Sequence, residues 1–428
     1  MRNASLERLD RRFTNIQIDE NTYMSGPLNG VRVIDLTQVQ AGPSCTQLLA
    51  WLGADVIKIE EPGKGDRTRW EMADRPGIDS FYYLVFNANK RSITLNLKSD
   101  EGVNILKRLA SESDVLVENY APGRLASFGL APQIIADQFP HLIIASIKGF
   151  GSYGPNSELK SYENIAQAAA GAMSTNGFDD QPPLFTSSGI GDSGSGLHCA
   201  IGILAALHQR VTTGKGSQVE VSMQDAVLNL MRVRYVETLP NRDPVIRSGN
   251  SVWGGPDMVF PCSPGGPNDY VTMVIGGEAW ESLLALAGRA DLIGDERYLS
   301  SQSANGPYAR ADEPYASEIA KIISDWTRTL TKDEVMDTLT EIGIPCSAVR
   351  DTAELLNDPH LIAREMVVEI KDPTRGDFTA IGCPIKVEGN AVELTTPPLL
   401  SEHTEEVLSE LLGMDASGIA SLKDEGIV

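Results

Sequence analysis

Short β-branched runs alternate with helix-like segments along the first 150 residues. VRVIDL at 31–36 and DVIKIE at 55–60 flank a stretch, 44–54, whose apolar positions follow helical spacing. Strand, helix and strand within about 30 residues is typical of a βαβ unit with parallel strands. The alternation continues with strands predicted at 92–97, 114–119 and 142–150 and a helix at 101–113. This pattern predicts an α/β fold whose large domain is doubly wound and Rossmann-like, built on a parallel sheet.

The rest of the chain predicts a second, smaller domain. A helix at 192–213 ending before Gly214, a strand at 217–223 and a helix at 224–239 precede a Gly- and Pro-rich stretch, 240–268, that reads as a boundary. A charged amphipathic helix is predicted at 402–414. The expected organisation is an N-terminal extension at 1–27, a large domain at 28–223 completed by about 390–428, a linker helix at 224–245, a small α+β domain at 246–350 and a return linker at 351–389.

Charge and composition narrow the classes of partner. The chain has 36 Lys and Arg against 58 Asp and Glu, a formal charge of −22. The negative electrostatic field of such a chain disfavours binding to nucleic acid and to anionic membranes. An anionic ligand would need a local cluster of hydrogen-bond donors or cations to bind. Five scattered cysteines and five histidines show no metal-ligand spacing, so we expect free thiols and no metal. The polar N-terminus and the absence of a long apolar run predict a cytoplasmic protein with no membrane contact.

GFGSYG at 149–154 matches a dinucleotide-binding spacing and follows a predicted strand. That site needs a helix directly afterwards to hold the pyrophosphate, whereas Pro155 comes next. We therefore interpret the segment as a turn.

GDSGSG at 191–196 carries two candidate nucleophiles. Ser193 resembles the serine of trypsin-like proteases, but those are all-β proteins and the serine needs a histidine and an aspartate within reach. Asp192 stands at the start of an apolar helix among glycines that admit a bulky thioester, and the helix N-terminus is expected to keep its carboxylate ionised. A structural N-cap is an equally ordinary role for an aspartate there, and the pattern alone leaves the choice open.

Two further groups of polar residues are candidates for the same chemistry. Lys160, Tyr162 and Glu163 precede an Ala-rich helix, where Glu163 is either a second carboxylate at the reaction centre or a first-turn residue that satisfies the helix dipole. Gln38 and Gln40 follow the first strand, where α/β sheets bind ligands. A side-chain amide there can donate to a developing oxyanion, and the alternative is a polar loop.

Several spaced blocks together resemble the class III CoA-transferases, from about Gly30 to the C-terminus. They are VQAGPSCTQLLAWLGADVIKIE, KRSITLNLK, ENYAPGRL, YENIAQ, the GDS segment and GIPCSAVRD. Within the family, the branch that transfers CoA to oxalate is the most similar.

The resemblance implies an enzyme that exchanges CoA between a short, formyl-CoA-like thioester and a small, oxalate-like carboxylate. Asp192 would form an anhydride and then an aspartyl-CoA thioester, with Gln40, Tyr162 and Glu163 also catalytic. No permanently bound cofactor is implied, since CoA thioesters are substrates, and the expected assembly is an interlocked homodimer. The residues implied to contact CoA are Gln40, Ala41, Leu95, Asn96, Leu97, Lys98, Asn119, Tyr120, Ala121, Arg124 and Lys160, and those implied at a substrate loop are Gly254, Gly255 and Tyr82.

The chain departs from the oxalate branch at several positions. Glu61 and Ser127 replace arginines, and Arg124 lies one helical turn before the second of these. Glu71 replaces a tryptophan, although Trp70 is adjacent, and SVWGGPD at 251–257 retains two glycines of a four-glycine loop. These changes put the specificity for oxalate in question.

The sequence leaves three further functions open. The family also contains α-methylacyl-CoA racemases, which use a His–Asp pair at the position of Tyr162 and Glu163. Tyrosine, with an ordinary pKa of about 10, is a poor base near neutral pH, so transfer is preferred over racemisation. The second possibility is a serine hydrolase acting through Ser193, and the third is a non-catalytic CoA-binding protein.

Overall fold

The computed structural model describes residues 26–251, 258–274, 277–295, 315–388 and 393–428. The chain divides into two units. Unit 1 contains the described residues up to Ala170 together with 187–230 and 363–428. Unit 2 contains 171–186 and 231–362.

The strands and helices alternate through the first half of the chain. The strands are β1 Arg32–Asp35, β2 Asp55–Glu60, β3 Arg91–Thr94, β4 Val115–Glu118, β5 Ile143–Lys148, β6 Gln218–Ser222, β7 Val259–Pro261, β8 Tyr270–Met273, β9 Cys346–Ala348, β10 Val367–Ile370 and β11 Phe378–Ile381. The helices are α1 Ala41–Trp51, α2 Phe81–Asn87, α3 Asp100–Ser111, α4 Arg124–Ser127, α5 Pro132–Gln138, α6 Glu163–Ala169, α7 Asp192–Thr213, α8 Met223–Leu230, α9 Tyr235–Thr238, α10 Gly277–Leu286, α11 Tyr315–Thr327, α12 Lys332–Glu341, α13 Thr352–Leu355, α14 Pro359–Ala363, α15 Thr404–Leu412 and α16 Ala416–Asp424.

Unit 1 is built on a six-stranded sheet with the order β3-β2-β1-β4-β5-β6. Every neighbouring pair in it is parallel. Because both faces of such a sheet are covered, its central strands are mostly buried, and β4 is buried along its whole length. The predicted α/β fold with a parallel sheet is confirmed. The strand order reverses between β1 and β4, and ligands of doubly wound sheets bind at the carboxyl ends of the strands on either side of such a reversal.

Helix α3 shows how the sequence covers one face of this sheet. Ser99 caps it by accepting the N–H of Gly102, and Asp100 and Glu101 lie in the first turn, where the helix dipole favours acids. Its buried face, which includes Ile105 and Leu106, packs in a core shared with α15 and α16. Replacing Leu106 by alanine is expected to cost ~2–5 kcal/mol, since the side chain is fully buried.

Helix α7 has the bounds predicted from the sequence. It ends at Gly214, which adopts a left-handed conformation with φ of 67°. A Cβ atom on Gly196 would lie 2.1 Å from Ser44 Oγ and 2.7 Å from the Ala41 carbonyl oxygen. The glycine therefore permits the close approach of α7 to α1, and this packing places the start of α7 beside the carboxyl end of β1.

Unit 2 contains a three-stranded antiparallel sheet with the order β7-β8-β9. Phe260, Val271 and Ile323 belong to its buried core, to which α11 and α12 contribute. Among the described residues, no helix is long and apolar enough to cross a membrane.

Two local predictions have different outcomes. GFGSYG forms a turn with Gly151 and Gly154 at positive φ, as expected. The single helix predicted at 224–239 is instead divided into α8, a 3-10 turn at Arg232–Arg234 and α9. Ala226 and Val227 are buried, but the later apolar positions, Val233 and Val236 among them, are exposed in the chain, so packing does not favour one continuous helix.

Candidate active site

A cavity of about 240 Å³ opens at the carboxyl edge of the unit 1 sheet, beside the ends of β1, β4 and β5. This is the point at which the strand order reverses. It brings together residues that are far apart in sequence, and we refer to it as the first cavity. The residues singled out from the sequence that line it are Gln38, Gln40, Ala41, Asn119, Tyr120, Ala121, Lys160, Tyr162 and Asp192.

Asp192 is the first residue of α7, and the preceding Gly191 occupies the N-cap position without a side-chain bond. Within the ranges that the structure describes, no donor bonds the Asp192 carboxylate, so the alternative of a structural N-cap does not apply. Burial, followed by the charge of Glu163, raises the pKa of Asp192 to about 7. The expectation that the helix N-terminus keeps this group readily ionised was wrong, because desolvation and a neighbouring carboxylate outweigh the dipole.

Glu163 lies directly beneath the start of α7. Its two carboxylate oxygens accept the backbone N–H groups of Gly191 at 2.8 Å and Asp192 at 2.6 Å. The side-chain amide of Gln167 donates to the same carboxylate at 2.6 Å. Glu163 therefore caps α7 from another helix and places its own charge beside Asp192. Glu163 is itself the first residue of α6, so it lies at the N-termini of two helices. Its role as a second carboxylate in the reaction stays a prediction.

Gln40 directs its side-chain amide toward the start of α7. Its Nε2 donates to Ser193 Oγ at 3.0 Å, next to Asp192. Gly189 leaves room for this amide, because a Cβ atom there would lie 2.9 Å from Nε2. A donor in this position can bind an oxyanion that develops on a group reacting with Asp192.

Ser193 has a side-chain amide as its partner, where a hydrolase would need a general base. His198 lies on the same helix, but its ring nitrogens face the Gly194 carbonyl oxygen at 2.7 Å and the Asn229 amide nitrogen at 2.7 Å. Neither contact directs the imidazole at Ser193. The arrangement disfavours a serine hydrolase.

Asn119 lines the first cavity while its side chain braces the turn that carries Gln40. Its Oδ1 accepts the Gln38 N–H at 2.9 Å and its Nδ2 donates to the Gln38 carbonyl oxygen at 2.8 Å. The side-chain amide is thus engaged by backbone, which limits what it can offer a ligand.

A second cavity of about 260 Å³ adjoins the first, since Gln38 and Tyr120 line both. It contains the other residues predicted to contact CoA, namely Leu95, Asn96, Leu97, Lys98 and Arg124. The Arg124 guanidinium lies 4.4 Å from the centre of the Phe128 ring, so a cation and an aromatic face are available together.

Glu61 also lines the second cavity and pairs with two lysines. Its carboxylate lies 2.8 Å from Lys98 Nζ and 2.9 Å from Lys64 Nζ. Hydrogen bonds from Lys98 and then Lys64 lower the pKa of Glu61. Glu61 is therefore an ionised carboxylate that competes for the cations near the second cavity.

Sequence reasoning missed two cations of the first cavity. Arg67 lies 5.8 Å from the centre of the Tyr162 ring and pairs with Glu71 at 2.9 Å. Lys148 donates to Glu118 at 2.8 Å at the end of β5. The rule that strand ends carry ligand-binding residues would have found Lys148, whereas no local pattern marks Arg67.

The remaining candidates are Tyr82, Gly254 and Gly255. Tyr82 is absent from the lining of both cavities, but burial and then the charge of Asp192 raise its pKa to about 12, which indicates that the phenol is near the carboxylate. Gly254 and Gly255 lie outside the described residues. Among the described residues, no group of three or more His, Cys, Asp or Glu side chains could hold a metal ion.

Comparison with known sequences identifies the class of protein that has this fold and these cavities. The chain belongs to CoA-transferase family III, whose model matches residues 28–404. It is therefore an enzyme of a family that acts on CoA thioesters.

Particular relatives are similar over almost the whole chain. A formyl-CoA:oxalate CoA-transferase from Streptomyces avermitilis is 45% identical, with 95% of this chain and 100% of the relative covered. A protein of the same name from Escherichia coli O157:H7 is 43% identical, with 94% and 99% covered. The crystal structure of a CAIB/BAIF family protein from Brucella suis superimposes with a TM-score of 0.79 at 28% identity, covering 91% of this chain and 100% of that one.

Proposed function

We propose that this enzyme exchanges CoA between a short acyl-CoA and a small carboxylate, of the formyl-CoA and oxalate type, with Asp192 as the covalent nucleophile. The observation that carries the proposal is the state of that carboxylate. It lies on the wall of the first cavity, accepts no hydrogen bond from the described residues and has a pKa raised to about 7. The names of the relatives support the substrate types.

The reaction proceeds in four balanced steps. An Asp192 oxygen attacks the acyl-CoA carbonyl carbon, which forms a mixed anhydride and expels CoA thiolate. The thiolate attacks the Asp192 carbonyl carbon, which gives an aspartyl-CoA thioester and releases the donor acid. The acceptor carboxylate then attacks that thioester, which forms a second anhydride and expels CoA thiolate. The thiolate attacks the acceptor carbonyl carbon, which gives the new acyl-CoA and regenerates the Asp192 carboxylate. Dividing the exchange in this way replaces one difficult step by easier ones.

The neighbours of Asp192 have separate roles in this scheme. The Gln40 amide, 3.0 Å from Ser193 Oγ, donates to the oxyanion of each tetrahedral intermediate. Glu163 is a positioning residue, since its oxygens hold the backbone of Gly191 and Asp192. Its charge also helps to raise the pKa of Asp192 and so makes the carboxylate a more basic nucleophile. Tyr162 lines the same cavity and is partly exposed to solvent, so it contacts the leaving and entering acids as they pass.

The two adjoining cavities accommodate the long CoA molecule. The thioester lies in the first cavity, and the nucleotide lies in the second, where Phe128 and Tyr120 offer aromatic surface and Arg124 and Lys98 offer cations. These cations provide the local positive charge that the phosphates of CoA need in order to bind to an acidic chain. Gln38 and Tyr120 mark the passage between the two ends of the substrate.

The proposal includes a Rossmann-like unit 1 and an interlocked homodimer. Leu197 and Ile201 on one face of α7 are 43% and 57% exposed, and Leu228 and Leu230 of α8 are 41% and 43% exposed. Apolar surface of this kind on neighbouring helices is typical of a protein interface. Light scattering is expected to give the mass of a dimer, and Ile201→Glu is expected to lower it. A monomeric wild-type protein would contradict this part of the proposal.

The covalent intermediate provides the direct test. The protein is incubated with formyl-CoA, succinyl-CoA or acetyl-CoA in turn, quenched with hydroxylamine and digested for peptide mass spectrometry. A hydroxamate at Asp192 is expected with the competent donor, in wild type and in the exposed-surface control Asp100→Asn, but not in Asp192→Asn. Full transfer activity in Asp192→Asn would refute the proposal. Exchange of an α-proton with solvent deuterium, without an acceptor acid, would indicate a racemase instead.

The acceptor acid is identified separately. Oxalate, succinate, formate and acetate are compared by kcat/KM with one CoA donor. Because Glu61, Glu71 and the 251–257 segment depart from the oxalate branch, a preference for another dicarboxylate would revise the acceptor and leave the covalent mechanism in place.

A further inference from the structure

Val39 has a backbone conformation that a β-branched residue strongly disfavours. Its φ is 69°, in the left-handed region, and it lies in the turn between β1 and α1. The residues on either side, Gln38 and Gln40, both line the first cavity, as Val39 does. A valine persists in this conformation only where its surroundings hold it there.

A buried carboxylate holds the Val39 backbone. Asp66 is 1% exposed, and its two oxygens lie 3.2 Å and 3.3 Å from the Val39 nitrogen, which donates to them. The same carboxylate accepts the backbone N–H and the hydroxyl of Thr68, each at 3.0 Å. Burial opposes the ionisation of Asp66, yet the charge of Lys58 and the N–H of Thr68 keep its pKa below the ordinary value.

Lys58 completes the arrangement from the neighbouring strand. Its ammonium is fully buried and lies 3.0 Å from Asp66 Oδ2. It also donates to the Thr37 carbonyl oxygen at 2.8 Å. The ion pair therefore contacts the turn at residue 37 and at residue 39, on both sides of Gln38, and the paired charges are costly to separate at this depth.

From these contacts we infer that Asp66, supported by Lys58, is a positioning residue that fixes the left-handed Val39 turn and thereby directs the Gln40 amide to Ser193 Oγ, next to Asp192. If Val39 relaxed to a right-handed or extended conformation, the peptide plane before Gln40 would rotate and carry the amide away. The inference rests on the proposed function, in which Gln40 donates to the oxyanion.

The test compares Asp66→Asn, Val39→Gly and the double variant with wild type. Asparagine keeps the size of the side chain but leaves one acceptor oxygen for the two backbone N–H donors of Val39 and Thr68. Steady-state transfer is measured for kcat and for KM of the CoA donor, and unfolding is followed in parallel. Asp66→Asn is expected to lower kcat ~100-fold, as for a misplaced catalytic group, while KM changes less than about threefold.

Second-site recovery separates positioning from a general structural role. Glycine adopts positive φ without strain, so Val39→Gly is expected to restore kcat ~10-fold in the Asp66→Asn background and to give no such gain alone. If kcat fell instead because Arg67, which follows Asp66 directly, was displaced, glycine at position 39 would not restore it. Absence of recovery, or a wild-type kcat in Asp66→Asn, would overturn the inference.

Two precautions keep the experiment decisive. If Asp66→Asn does not fold because Lys58 loses its partner, Lys58→Met/Asp66→Asn removes both charges, and the comparison with and without Val39→Gly is made there. The wild-type protein is first checked for transfer and for the Asp192 hydroxamate. Failure of that check would refute the proposed function, whereas its success without recovery by Val39→Gly would refute only the role of Asp66.

Discussion

Replacing Asp192 by asparagine should stabilise the protein at neutral and alkaline pH, although it removes the proposed nucleophile. The carboxylate is buried beside Glu163, and its pKa rises from 3.8 to about 7 in the folded chain. Each tenfold change in proton affinity is worth ~1.4 kcal/mol, so ionising the group in the folded state costs ~4 kcal/mol more than in the unfolded state. Incomplete burial and screening reduce the expected gain to about 2–3 kcal/mol.

The pH dependence of this gain follows from the direction of the pKa change. The folded state binds the Asp192 proton more tightly than the unfolded state does. The stability of wild type relative to Asp192→Asn therefore falls as pH rises from about 4 to about 7, and the difference is constant above that. Below pH ~4 both states are protonated and the two proteins should unfold alike.

Urea unfolding at fixed protein concentration, at about pH 5 and about pH 8, measures the effect. Asp100→Asn is the matched control, because Asp100 is also the first residue of its helix but is exposed. Its replacement should cost ~0.3–1 kcal/mol at both pH values, from the lost interaction with the helix dipole. If Asp192→Asn were destabilised at pH ~8 by as much as Asp100→Asn, the burial argument for Asp192 would be refuted.

Three further outcomes are expected from the same geometry. The kcat/KM for the CoA donor should rise with pH and level off above about 7 as Asp192 ionises in the free enzyme, and a profile that is flat between pH ~5 and ~9 would count against it. Gln40→Ala should lower kcat by ~10²–10³-fold, measured under saturating donor, because an oxyanion donor is lost. Glu61→Gln should tighten CoA binding ~10-fold, because Lys98 and Lys64 are freed to bind the 3′-phosphate of CoA. Calorimetry with 3′-dephospho-CoA, which lacks that phosphate, should show no such change.

The elements that bear the site could be predicted because their signals are local. The strand at 55–60 is a β-branched run that coincides with β2, and Gly214 supplies the left-handed residue with which α7 ends. The division of the segment at 224–239 could not be predicted, because hydrophobic periodicity indicates that a helix has an apolar face but does not indicate whether another element packs against that face. Packing partners decide that, and they lie elsewhere in the chain or on another chain.

The role of Asp192 could not be predicted from its neighbours in sequence. Whether it is an N-cap or the first helical residue depends on a helix start that shifts by one position. The groups that set its environment are also distant, since Glu163 precedes it by 29 residues. The same is true of Asp66 and Val39, which are 27 residues apart. Such contacts are set by the packing of α6 and α7 and by the order of the sheet, not by a motif.

The balance of forces at Asp192 explains why its position suits covalent transfer. The helix N-terminus favours the ionised carboxylate by ~0.3–1 kcal/mol, whereas burial and Glu163 together disfavour it by several times that amount. Both covalent states of the proposed mechanism, the anhydride and the aspartyl-CoA thioester, would remove the charge from this side chain. The environment that makes the free carboxylate basic therefore also favours a neutral, acylated side chain, so the same burial would strengthen the proposed nucleophile and stabilise its proposed adducts.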